Sequence, residues 1–401
     1  MNEISLYFHI PFCRRRCGYC DFNTFAGMNQ YISAYVNALC KEVEIVLSQA
    51  PSSNIAHTVY FGGGTPSLLT PEDFGQILDS IKRHIEIPAN AEVTMEANPE
   101  TVTEGSICEF SEKGFNRISF GMQSASRRDL HVLDRQHDNQ SILNAILWSK
   151  RAGFQHINLD LIFGIPGQSL VSWRRTLELA LSLGVDHFSV YSLILEDGTR
   201  LKRWIDNGLL ESLDEDLAAD MYELTMEIME KNGFIQYEIS NWARTEGGRS
   251  RHNMQYWRYL PYLGFGAGAH GFWEDTRTEN VSLIPDYIDR VNNPQESQFP
   301  AGPAIIQTSH LSTWERIQEN MMVSLRLTHE GVSVSDFSQR YNANVLELFS
   351  AQISRLTKQG LVELIEDRKQ LRLTRKGRLF GNRVFLEFID NSVPSGFEFL
   401  D

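Results

Sequence analysis

No run of apolar residues in this chain reaches membrane-spanning length, which argues against a transmembrane helix. The opening "MNEISLYFHIPFC" has no basic region leading into an apolar stretch, so no signal peptide is read there. Positive charge is also short: 37 Lys and Arg against 51 Asp and Glu leave a net −14, which opposes a general affinity for nucleic acid or anionic lipid. Cysteine is scarce, with five in 401 residues, and in a cytoplasmic chain thiols stay reduced. That excludes a disulfide framework and leaves metal binding or catalysis for cysteines that cluster. No internal repeat of solenoid length is present. What remains, at 42% hydrophobic and 22% charged residues, is a soluble globular chain able to bury a large core.

Apolar, β-rich runs recur through the first half at 5–10, 58–63, 92–98, 117–123, 157–166 and 187–195. Helical patterns separate them. One opens with Thr70 as cap and Pro71 in the first turn, and another ends on Gly184. This alternation predicts six parallel βα units in a partial (β/α)₆, TIM-like α/β barrel, with its chemistry at the C-terminal strand ends. Gly62–Pro66, Glu96, Asn98 and Gln123 fall at such ends, and Asp160 lies inside an apolar strand, where it needs a partner or a ligand. The domain reading is a barrel over 1–245, a glycine- and aromatic-rich extension with a linker over 246–300, and a small winged-helix-like α+β unit over 301–401. The basic stretch 351–385 of that unit raises DNA binding as an alternative, which the apolar residues along its helix and the acidity of the whole chain oppose. "GFGAGA" at 264–269 fits a loose dinucleotide pattern without the strand–turn–helix setting that the mechanism requires.

Three cysteines share one loop: Cys13, Cys17 and Cys20, spaced C-x₃-C-x₂-C. Cys40, in a strongly periodic helix, and Cys108, within "GSICEFSEKGF", both read as inert buried thiols. A tight loop can turn three thiolates onto one soft metal centre, and both structural zinc and an iron–sulfur cluster fit. Zinc wants a fourth ligand, for which His9 stands in the strand before the loop. A four-iron cluster needs no fourth, because one iron stays open.

The string Tyr7-x-His9-Ile10-Pro11-Phe12-Cys13, the cysteine spacing and Gly62-Gly63-Gly64-Thr65-Pro66 resemble the radical S-adenosylmethionine (SAM) superfamily. Within it, they are similar to the branch of oxygen-independent coproporphyrinogen III dehydrogenase and its heme-chaperone relatives. The resemblance implies a [4Fe–4S] cluster on Cys13, Cys17 and Cys20, with SAM on the open iron. It carries SAM contacts to Tyr7, Tyr19, Gly63, Gly64, Thr65, Glu96, Gln123, Arg135 and Asp160.

Three features separate the two kinds of relative. The dehydrogenase has a further cysteine two residues after the triplet, where this chain has Phe22, and an N-terminal extension, where Tyr7 stands close to the first residue. The third is His252-Asn253-Met254-Gln255-Tyr256-Trp257, which matches the chaperones' H-N-x-x-Y-W motif. The resemblance therefore implies heme b on His252, Asn253, Tyr256 and Trp257, with His252 or its competitor His270 as iron ligand and Arg249, Arg251 and Arg258 as propionate partners. The implied partners are heme and recipient hemoproteins such as respiratory-chain enzymes, with a homodimer left open and membrane contact only through partners. Oxidative decarboxylation of coproporphyrinogen III is the alternative activity.

Overall fold

Strand alternation sets the architecture. In β1 (Asn2–Ile10), Ile4, Leu6, Phe8 and Ile10 are buried in the apolar core, while Ser5, Tyr7 and His9 alternate with them. The same period of two runs through β2 (Asn54–Gly63), β3 (Glu92–Ala97), β4 (Arg117–Gln123), β5 (His156–Phe163) and β6 (His187–Ser192). These six strands pair in parallel and in chain order in the computed structural model, which describes residues 2–51, 54–389, 392 and 397. The helices α1 (Ile32–Leu47), α2 (Pro71–Lys82), α3 (Glu104–Glu112), α4 (Asn139–Arg151), α5 (Leu170–Ser182) and α6 (Glu215–Lys231) supply the outer layer. Aromatic rings lock the layers together: Phe8 on Phe61 at 4.9 Å between centroids, and Phe61 on Phe74 at 5.0 Å. The fold is the expected α/β barrel of parallel strands, open on one side.

The open side is where the structure adds most to the sequence reading. Strands β7 (Ile235–Glu238) and β8 (Asn241–Ala243) continue the sheet antiparallel beyond β6. Beyond β1 come β9 (Tyr262–Phe265), β10 (His270–Trp273), β11 (Thr276–Asn280) and β12 (Ile305–His310). Among the described residues the sheet thus has twelve strands, in the order β12-β11-β10-β9-β1-β2-β3-β4-β5-β6-β8-β7. The segment after 246 carries too little periodicity to reveal these strands, because each is only four to six residues long. Between the two edges sits α7 (Arg251–Trp257), which is the H-N-x-x-Y-W stretch. Helix α8 (Ile284–Asn292) packs on α1.

The C-terminal unit has helices α9 (Thr313–Ser324), α10 (Val334–Tyr341) and α11 (Ser350–Lys358). Its three-stranded sheet orders Val332–Ser333, Gln370–Leu373 and Val362–Ile365, as a winged-helix-like hairpin requires. Its core, around Ile317, Phe349 and Leu371, is separate from that of the barrel. Among the described residues, no helix is long and apolar enough to cross a membrane.

Candidate functional site

A cavity of about 470 Å³ opens at the C-terminal ends of the parallel strands. Cys13, Cys17 and Cys20 form one wall, and Tyr19, Gly63, Gly64, Thr65, Glu96, Gln123, Arg135 and Asp160 also line it. Every residue assigned to SAM from the sequence therefore meets here except Tyr7. The Tyr7 hydroxyl bonds His9 Nδ1 (3.0 Å), and His9 Nε2 donates to the Asn23 carbonyl (2.8 Å) at the end of the cysteine loop. Tyr7 thus reaches the cysteine loop through His9 and lines a second, smaller cavity beside Tyr60 and Glu96.

The wall is tightly specified. Gly63 has φ +111°, and a β-carbon on Gly64 would lie 2.6 Å from the Phe12 carbonyl oxygen, so only glycine lets these chains approach. Thr65 Oγ1 lies 3.5 Å from Cys13 Sγ, and Arg135 Nη1 points at Cys17 Sγ from 3.5 Å. The other Arg135 nitrogen, Nη2, donates to Asn98 Oδ1 (2.6 Å) and the Gly121 carbonyl (3.0 Å). Glu96 accepts from Tyr60 (2.7 Å) and Gly63 N–H (3.2 Å), yet burial pushes its pKa up to about 7. Burial also raises the pKa of Asp160, although Ser119 (2.9 Å) and Asn158 (2.8 Å) donate to it.

Behind Asp160 runs a chain of hydrogen bonds whose direction the donors settle. Asn158 Nδ2 donates to Ser119 and Asp160, so its Oδ1 accepts from His187 Nδ1 (2.6 Å). His187 Nε2 then accepts from Tyr237 OH (2.7 Å), which in turn accepts from Ser250 N–H (3.2 Å), the cap of α7. Sequence reasoning placed Asn98 at a strand end without giving it a role, and it missed Ser119, Asn158, His187 and Tyr191. Their signal was available: polar residues two apart within otherwise apolar parallel strands.

Helix α7 closes the barrel near the N-terminal ends of its strands. Glu92, which begins β3, accepts from the main chain of Arg251 (3.1 Å) and His252 (3.0 Å) and pairs with Arg117 (3.0 Å). Burial opposes its ionisation, but Arg117 and these N–H groups hold Glu92 below the usual carboxylate range. His252 is 1% exposed and stacks on Tyr60 at 4.8 Å. Thr58 gives its hydroxyl hydrogen to Ser5, so His252 Nδ1 donates to Thr58 (2.8 Å) and Nε2 accepts from Tyr256 OH (2.8 Å). Burial lowers the His252 pKa to about 3, so the ring is neutral and neither nitrogen is free. The three arginines assigned to propionates are also engaged: Arg258 (2.9 Å) and Arg249 (3.4 Å) with Glu330, Arg251 with the Asn90 carbonyl. Asn253 alone of the motif faces the large cavity, while the second one, of about 250 Å³, is lined by His252, Asn253, Tyr256 and Trp257 together, the four residues assigned to heme. His270 is exposed at the start of β10, away from both.

Residues 7–180 match the radical SAM superfamily and residues 311–380 the HemN C-terminal domain. The heme chaperone HemW of Bacillus subtilis is 37% identical over 96% of this chain and 99% of its own. That of Lactococcus lactis is 35% identical over 97% and 98%. The chain belongs to the HemW family. A mitochondrial radical SAM domain-containing protein of Danio rerio is 33% identical over 98% of this chain and 86% of its own. Among solved structures, coproporphyrinogen III oxidase (HemN) of Escherichia coli superposes with a TM-score of 0.80 over 96% of this chain and 89% of that one. At 23% identity that likeness shows the shared fold.

Radical SAM membership implies a [4Fe–4S] cluster and SAM, and the HemW-family cavity fits both. Its donors are three soft thiols with cationic Arg135 beside them. Arg135 Nε is buried without a partner, and Gly63 and Gly64 let the chain before Thr65 pack directly against the strand that leads into the cysteine loop. Among the described residues, no three His, Cys, Asp or Glu side chains converge closely enough for a single metal ion.

Proposed function

We propose that this protein binds heme and passes it to hemoproteins, respiratory-chain enzymes among them, from a radical SAM scaffold. The observation that carries this is the 35–37% identity, over nearly the full length of both chains, to proteins named heme chaperones. Phe22, in place of the dehydrogenase's additional cysteine, supports the same reading. Cys13, Cys17 and Cys20 would hold the cluster, which when bound supplies one-electron chemistry at an open iron. Gly63, Gly64 and Thr65 would receive the amino acid end of SAM, with Glu96 accepting from its ammonium and Arg135 and Gln123 beside the carboxylate and adenosine. Asp160 would accept from the ribose hydroxyls, with Tyr19 packed nearby. In the conformation described, the H-N-x-x-Y-W helix contributes through Asn253 as floor of this cavity.

The test is anaerobic reconstitution, analysis of iron and sulfide, and titration with heme followed at the Soret band. Four irons and four sulfides per chain, lost on Cys17→Ala and kept in Cys108→Ser, together with stoichiometric heme binding, are expected. Failure to bind heme overturns the proposal. Conversion of coproporphyrinogen III with SAM and reductant would establish the decarboxylase instead, the activity named for the HemN neighbour.

A further inference from the structure

The helix that carries the chaperone motif offers heme no nitrogen, so the macrocycle needs another seat. The mouth of the 470 Å³ cavity has the right chemistry. Two large apolar side chains lining it are exposed, Phe22 at 64% and Ile194 at 66%, and Tyr191 continues from them inward to the second cavity. Phe22 comes from the cysteine loop, whereas Tyr191 and Ile194 come from the end of β6 and the loop after it. Buried Ile162 and Leu193 continue the apolar surface inward. Aromatic and aliphatic groups exposed together around an opening mark a binding surface for something flat and apolar.

The same rim carries cations. Arg16 is exposed, donates to the Phe22 carbonyl (3.4 Å) and pairs with no carboxylate among the described residues. Arg15 and Arg200 share Asp134, at 2.5 Å each. Asp21 and Glu196 also line this rim and repel a carboxylate, so among the described residues Arg16 is the rim guanidinium without a carboxylate partner that could take one.

We propose that the porphyrin lies at this mouth on Phe22, Tyr191 and Ile194, a propionate on Arg16, held by its plane and carboxylates and not by the His252 imidazole. This rests on the heme-binding reading. Among the described residues, His187 is the one histidine lining this cavity, and both its nitrogens are bonded.

The experiment titrates the full chain with ferric protoporphyrin, metal-free protoporphyrin IX and its dimethyl ester. Phe22, Ile194 and Arg16 are exposed, so their variants should melt like wild type. The double variant Phe22→Glu, Ile194→Glu is expected to bind ferric protoporphyrin about tenfold or more weakly, as loss of a central apolar anchor does. Arg16→Glu should weaken the dicarboxylate but not the ester, and metal-free protoporphyrin should bind wild type within about threefold of the ferric form. Unchanged affinity in the double variant, or no binding without iron, overturns this site while the chaperone reading stands. No heme binding by wild type overturns both.

Discussion

Gly64 shows how one atom shapes this site. Its N–H donates to the Ile10 carbonyl (2.8 Å), and an added β-carbon would meet the carbonyls of Phe12 and Ile10 at 2.6 and 2.9 Å, where main chain cannot yield. Gly64→Ala should therefore push the cysteine loop aside, and iron retained after gel filtration should fall well below wild type. Glu42 makes a different point. It is buried in α1 and accepts from Tyr287 OH (2.7 Å), Gly266 N–H (2.8 Å) and Asn280 Nδ2 (2.7 Å), tying α1 to α8, β11 and the turn after β9. Burial nevertheless raises its pKa to about 7. Between the unfolded value of 4.5 and about 7, the folded chain holds a proton that the unfolded chain releases. That stabilisation is complete below the lower value and lost as pH rises through the upper one. Thermal midpoints between pH 5 and 8 should thus fall more steeply with pH in wild type than in Glu42→Gln. Glu42→Ala, which strands three buried donors, should cost about 3 kcal/mol or more.

At the scale of elements, α7 decides how its motif is read. From the sequence, imidazole and two aromatics at helical spacing resemble a ligand set. In the fold, Glu92 sits at the start of the helix, and both nitrogens of His252 are taken, by Thr58 and by Tyr256 of the same helix. His252→Ala should cost about 2–4 kcal/mol in chemical denaturation, through a lost stack and an unpaired Thr58 and Tyr256. Heme affinity of the folded fraction should stay near wild type, as read from the Soret titration. The opposite pattern, full stability with heme binding lost, would restore His252 as ligand. The parallel strands were legible because each is a long apolar run with polar residues at a fixed end. The strands flanking α7 were not, because four-residue strands hold no period and are defined by distant partners.

Across the whole molecule, the C-terminal unit covers the sheet edge at β7. Ile239 N–H donates to the Arg326 carbonyl (3.1 Å), while Thr328 N–H donates to that of Tyr237 (3.1 Å). Arg378 reaches Gln236 (2.8 Å), and Arg340 reaches the Tyr259 carbonyl (3.0 Å). An uncovered strand edge invites association. A chain ending after His310 is accordingly expected to aggregate, with light scattering rising at concentrations where the full chain stays dispersed. The winged-helix-like pattern was readable from its hairpin, but its docking on β7 was not, since nothing local in either segment names the other.

The alternation of strand and helix, the cysteine loop and the polar strand ends can be read along the chain without its fold. Each of these follows from neighbours within a few residues and the steric demands of glycine and the period of two. Three facts appear only in the folded chain: His252 has no free nitrogen, Tyr7 bonds His9, and Phe22 and Ile194 line one opening. Those facts depend on segments far apart in the chain being brought into contact, where burial and hydrogen-bond geometry, and not residue type, set what a side chain can do.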